Sequence, residues 1–164
     1  MRTFSIIWTY PKSFSLLSWV ISKRIKRPYS HVAISMGEKL YEATGGSVVD
    51  NPLSEKVKGY NVVQACNLSI PDSHYAIMEA FLKEQVGDEY SYWGAFASTL
   101  RLPRMLGVGK DGDEEFICSE LAIRALEEAE IIDRGQLEKA PDYITPKGVE
   151  ELLIKRGHSM NKKK

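Results

Sequence analysis

The run Ser30-His-Val-Ala-Ile-Ser-Met36, Gly37-Glu38, Lys39-Leu-Tyr-Glu-Ala-Thr44 restricts the fold of this chain more than any other segment. Two stretches with β-branched and aromatic residues flank a two-residue turn, the pattern of a β-hairpin. If Met36 and Lys39 close the turn, His31 opposes Thr44 and Ala33 opposes Glu42. Side chains alternate along a strand, so His31, Ala33, Leu40, Glu42 and Thr44 share one face. Val32, Ile34, Met36 and Tyr41 form the other, an apolar packing surface. Glu42 is then the diagonal neighbour of His31, with only the small Ala33 between them. Such a pair is either a half-buried histidine satisfied by a glutamate or a base whose tautomer is held by a carboxylate.

Around the hairpin the pattern alternates between strands and helices. Residues 4–10 read as a strand that Pro11 ends, and 17–25 as a helix that Pro28 ends. Residues 47–50 and 60–66 read as further strands. A helix follows over 71–86, with Ala76, Ile77, Ala80, Phe81 and Leu82 expected on its packed side and Gly87 as its stop. Residues 90–100 are aromatic and expected to be partly helical, and 103–113, with three glycines and a proline, to be a surface loop bordering the site. Leu121, Ala122, Ala125, Leu126 and Ala129 then mark the buried stripe of a helix. Thr145-Pro146 caps a terminal helix running to about Lys155. With no repeat or linker, residues 1–156 read as one domain and 157–164 as a flexible basic tail.

Composition excludes several function classes. The 164 residues are 43% hydrophobic, and 22 basic residues balance 22 acidic ones. A chain of this size builds its core without disulfides, and zero net charge gives no global attraction to nucleic acid, so no nucleic-acid partner is expected. No 18-residue apolar run and no signal-peptide pattern is present, which points to a cytoplasmic protein. The segment 14–25, from Phe14 to Ile25, has an apolar helical face and a basic end. It reads either as a helix packed on its own domain or as one with peripheral lipid contact.

Two cysteines cannot supply a four-ligand zinc site, and no metal or other cofactor is expected. Cys66, inside a strand, reads as a small core residue. Cys118 stands where an acidic stretch, 111–115, gives way to a helix. Unpaired amides and the positive end of the helix dipole stabilise a thiolate there, while Asp113, Glu114, Glu115 and Glu120 oppose it. Position alone leaves Cys118 as a core residue or a nucleophile. His74 and His158 read as surface or cap residues, which leaves His31 as the base. Together with Glu42 the set has the nucleophile–base–orienter pattern of covalent catalysis.

Pro28-Tyr-Ser-His-Val-Ala-Ile34, Leu40-Tyr-Glu-Ala43 and Phe116-Ile-Cys-Ser-Glu-Leu121, in that order, resemble the circularly permuted branch of the NlpC/P60 papain-like superfamily, in particular its YiiX/YebB-like group. In that branch the histidine hairpin precedes the cysteine helix. The resemblance implies an α+β fold, with an antiparallel β-sheet packed against helices and the catalytic cysteine at a helix N-terminus. It implies Cys118 as nucleophile, His31 as base and Glu42 as orienting acid, with no cofactor. Tyr10 and Tyr29 are candidates for the oxyanion or substrate contact, since a phenol donates to developing charge. The expected activity is hydrolysis of an amide or peptide bond through a thioester. The alternatives are acyl transfer or lipid-directed acyl hydrolysis, with an acyl-containing substrate, and a non-catalytic binding module on the same fold.

Overall fold

The structure is a computed structural model that describes residues 1–44, 47–88, 118–137 and 144–162. In chain order it runs β1 (Arg2–Pro11), α1 (Leu16–Ile25), β2 (His31–Met36), β3 (Lys39–Thr44), β4 (Ser47–Pro52), α2 (Leu53–Gly59), β5 (Tyr60–Ile70), α3 (Asp72–Gln85), α4 (Cys118–Glu128), a 3-10 turn (Arg134–Gln136), α5 (Pro146–Lys155) and β6 (Asn161–Lys162). Among the described residues six strands form one sheet in the order β4-β3-β2-β1-β5-β6. Every neighbouring pair is antiparallel.

The hairpin has the register expected from its turn, with Met36 opposite Lys39 and Ile34 opposite Tyr41. Gly37 takes the left-handed conformation at φ 61°, where a side chain would be strained. Alternation then sorts the sheet into two faces. Phe4, Ile6 and Trp8 of β1, Val32, Ile34 and Met36 of β2, and Cys66 and Leu68 of β5 join the main core with Tyr75, Met78 and Leu82 of α3. The same core takes Leu121, Ala122, Ala125 and Leu126 of α4, and Val149 and Leu153 of α5. The other face carries a small cluster of Ile7, Ala33 and Leu40, against which Leu53 of α2 packs. Helices α3, α4 and α5 thus cover one face, and the short α2 lies on the other. Burying each large core side chain contributes about 1.5–3 kcal/mol.

One local expectation is corrected, and the structure adds a short helix and an edge pairing. Helix α3 buries Tyr75, Met78 and Leu82, whereas Ala76, Ile77 and Ala80 face solvent. The helix offers apolar residues on two sides, and the larger side chains, Tyr75 and Met78, set its rotation. Helix α2 had no counterpart in the sequence reading, because its Leu53-Ser-Glu-Lys-Val-Lys-Gly59 is mostly polar. In the tail, Asn161 and Lys162 pair with Ala65 and Gln64 as a short edge strand. The expected helix over 90–100, the loop over 103–113, the acidic stretch 111–115 and the glycines 45–46 lie outside the described residues.

No helix among the described residues is long and apolar enough to cross a membrane. Helix α1 begins at Ser15, whose side chain accepts from the Ser18 amide, and ends at Lys26 in the left-handed conformation. It turns Ile21 and Ile25 to the core.

Candidate active site

Cys118 is the first residue of α4, and it is buried. The start of that helix is pinned from the side, where the Ser119 hydroxyl donates to the Ile144 carbonyl. The His31 side chain and the main chain of Val32 and Ser119 act on its sulfur. Burial alone pushes a thiol up. Here the His31 charge and hydrogen bond, with the two main-chain contacts, outweigh burial and bring Cys118 below the ordinary thiol range. Cys66 lacks such partners, and burial pushes its thiol up. Both cysteines are free thiols.

His31 opens β2 and lies opposite Thr9 of β1. Its Nε2 is 2.8 Å from Glu42 Oε2, so Nδ1 is the ring nitrogen that Glu42 does not engage. Desolvation favours the neutral ring, but Cys118 and Glu42 together raise its pKa to about 9. Glu42 is 1% exposed. Burial pushes its carboxyl up, and His31 and Lys56 more than reverse this, holding it below the usual carboxylate range.

The three residues meet at an end of the sheet rather than across one face. By alternation Glu42 belongs to the face of Ala33 and Leu40, where α2 packs, whereas Cys118 belongs to the core on the opposite face. The imidazole bridges the two because His31 is the terminal residue of its strand. His31 and Glu42 share the hairpin face expected of them, and their side chains meet there.

Both tyrosines lie near His31 along the chain or across the sheet, Tyr29 two residues before it and Tyr10 next to its partner Thr9. Tyr29 is fully buried, tilted against Trp8 with ring centroids 6.1 Å apart, and its hydroxyl donates to Glu150 Oε2 at 2.6 Å. Glu150 also accepts from Arg27 Nε at 2.7 Å and from Gln64 Nε2 at 2.9 Å. This cluster ties α5 to β5 and to the chain two residues before His31, so Tyr29 positions the strand and has no hydroxyl to spare for an oxyanion. Tyr10 lies near the end of β1, opposite Asn61 and partly buried. Of the remaining histidines, His74 bonds the Ala129 carbonyl at 3.0 Å through Nδ1, tying α3 to the end of α4.

Sequence reasoning missed Lys56. It lies on α2, is buried, and donates through Nζ to the same Glu42 oxygen that meets His31. A lysine in a polar stretch gives no signal of burial. Glu150 was missed as well, since an acidic residue in an amphipathic helix reads as surface.

No protein-family model matches this chain, and no curated protein sequence matches it. Among solved structures it is similar to the crystal structure of the metalloprotein YiiX from Escherichia coli O157:H7. The identity is 21% and the TM-score 0.53, over 80% of this chain and 67% of that one. The likeness is one of fold, and it agrees with an antiparallel sheet packed against helices with a buried cysteine at the start of α4, a papain-like arrangement.

Proposed function

We propose that the chain is a cysteine hydrolase that cleaves an amide or peptide bond through a thioester. The observation that carries this reading is one imidazole hydrogen-bonded to Glu42 and electrostatically coupled to Cys118, with the cysteine at a helix start. His31 Nδ1 takes the thiol proton, and the sulfur attacks the carbonyl carbon. The first-turn amides of α4 have no intrahelical acceptor and serve as donors to the oxyanion, worth roughly 10²–10³-fold for each such donor. As the C–N bond breaks, His31 passes its proton to the leaving amine. It then takes a proton from water, which attacks the thioester and releases the acid and the thiolate. Glu42 keeps the ring oriented throughout.

The test is incubation with an acylated chromogenic amide, quenched at intervals and analysed by intact-protein mass spectrometry. The expected result is an acyl adduct on Cys118 that is absent from Cys118→Ala and that decays to free acid. Retention of ligand with no adduct and no product selects the non-catalytic binding module instead.

A second reading, acyl transfer or hydrolysis at a lipid surface, is favoured by one observation. Phe14, Leu16 and Trp19 are 81%, 64% and 45% exposed. They sit in a segment, 12–27, that holds five basic residues and no acidic one. This side of α1 is opposite the face of Ile21 and Ile25, which is turned to the core. Sedimentation with anionic but not zwitterionic vesicles, lost on Phe14→Ser/Trp19→Ser, supports it; equal recovery in the supernatant in all cases counts against it.

A metal ion does not fit this donor set. YiiX is described as a metalloprotein. Among the described residues of this chain, no group of three or more His, Cys, Asp or Glu is arranged to hold a metal ion. In the Cys118–His31–Glu42 row the ring stands between thiol and carboxylate, and Lys56 occupies the same Glu42 oxygen. These donors form a chain instead of converging on a point.

A further inference from the structure

Glu42 Oε2 accepts two hydrogen bonds, one from His31 Nε2 and one from Lys56 Nζ. The side chains of Lys56 and Glu42 are 6% and 1% exposed. Lysine is among the residues least often buried, and its desolvation needs a partner. Lys56 has two: the carboxylate, and the Tyr60 ring, whose centroid lies 3.5 Å from Nζ. The titratable groups facing Glu42 are therefore His31 from β2, Lys56 from α2 and Tyr60 from β5, with Cys118 of α4 beyond the imidazole.

This arrangement bears on the proton that His31 must move. With His31 as its only partner, Glu42 becomes a buried, unpaired anion whenever the ring gives up its proton, which is costly. That cost would hold the proton on His31 and make the imidazolium a poor acid toward a leaving group. A second cation on the same oxygen keeps Glu42 ionised in both states of the ring and offsets part of its field at His31. The ion pair also fixes the carboxylate from the side away from Cys118, so that Nε2 keeps its partner and Nδ1 keeps its direction.

We propose that Lys56 is a positioning residue that acts through Glu42, holding the carboxylate in place and moderating its pull on the His31 proton. This rests on the reading of Cys118 and His31 as nucleophile and base. The distinction from a merely structural ion pair lies in the titration of that pair. Removing the Lys56 charge makes the Cys118 thiolate harder to form and the His31 imidazolium harder to deprotonate. Both limbs of the pH–alkylation profile of Cys118 then move to higher pH, by about half a unit or more for a neighbouring charge in a partly dry site.

The experiment measures iodoacetamide modification of Cys118 by residue-resolved mass spectrometry across roughly pH 5 to 10. It compares the wild type with Lys56→Met, Lys56→Gln and Lys56→Arg. The glutamine variant retains an N–H donor for Glu42, which keeps the test open if the methionine variant does not fold. The assignment expects an upward shift of both limbs in the neutral variants and wild-type limbs in Lys56→Arg. Neutral variants that fold and keep wild-type limbs overturn it while leaving the nucleophile–base reading intact. A wild-type Cys118 that titrates as a free thiol and ignores His31→Ala overturns that reading first, and the Lys56 assignment with it.

Discussion

His31 Nε2 stands 2.8 Å from Glu42 Oε2, and that contact decides which imidazole nitrogen is left for Cys118. Nε2 is engaged on the α2 side of the sheet, so Nδ1 is the nitrogen that remains for a partner from α4. The ring is therefore oriented before any substrate arrives.

The first consequence is reactivity at low pH. Cys118 lies below the ordinary thiol range and His31 is raised to about 9, shifts that both favour the thiolate–imidazolium pair over thiol and neutral ring. Cys118 should alkylate at pH 6 to 7, well below the free-thiol value of about 8.5, while Cys66 stays unmodified. His31→Ala removes both the proton acceptor and the stabilising cation. The rate at pH 6 is then expected to fall by about tenfold or more, with the profile returning toward a free thiol. Peptide-level mass spectrometry at each pH checks this.

Glu42→Gln keeps the shape of the side chain and removes its charge. Glu42 raises the His31 pKa, so the variant should lose its imidazolium at lower pH, moving the alkaline limb down from about 9. This is the opposite sign to the effect of neutralising Lys56. Turnover of an amide substrate is expected to fall by less than in His31→Ala, whose general acid–base role is worth about 10²–10⁴-fold. Steady-state rates on the substrate that acylates Cys118 give the comparison.

Glu150 supports the site through stability. Burial pushes its carboxyl up, but Tyr29, Arg27 and Gln64 bring it below the usual range. A depressed carboxylate contributes stability that is present above its unfolded pKa of about 4.3 and is lost as pH falls through the folded value. Glu150→Gln should destabilise the fold by about 2–4 kcal/mol at neutral pH and flatten the acid side of the Tm–pH curve. Tyr29→Phe should cost about 1.5–3 kcal/mol and leave the alkylation limbs of Cys118 in place. Thermal melts between pH 3 and 8 check both variants, and a Tyr29→Phe enzyme that melts normally but loses turnover would restore the oxyanion role.

Trp8 clamps β1 to α5. It is fully buried, and its indole N–H donates to the Pro146 carbonyl at 2.8 Å. Trp8→Ala opens a cavity and orphans that carbonyl, at a cost of about 3–5 kcal/mol. Urea unfolding should show the loss in the midpoint with the slope unchanged, as for a two-state loss of stability.

The sequence by itself determined the hairpin, its register and the shared face of His31 and Glu42. A two-residue turn and strict alternation are local rules that no distant contact had to supply. The same holds for the start of α4 at Cys118 and its buried stripe, where spacing alone marks the apolar side. Only the tertiary structure decided that the imidazole links a carboxylate on one sheet face to a thiol associated with the other, because that depends on how α4 docks against the end of β2. It also decided the buried partners. Lys56 and Glu150 are charged residues in short amphipathic or polar segments, and nothing local separates them from surface charges. They are buried because groups remote in sequence satisfy them, Glu42 for one, with Tyr60 a turn further along, and Arg27, Tyr29 and Gln64 for the other. Periodicity reports which way a side chain points, and the fold alone reports what it meets there.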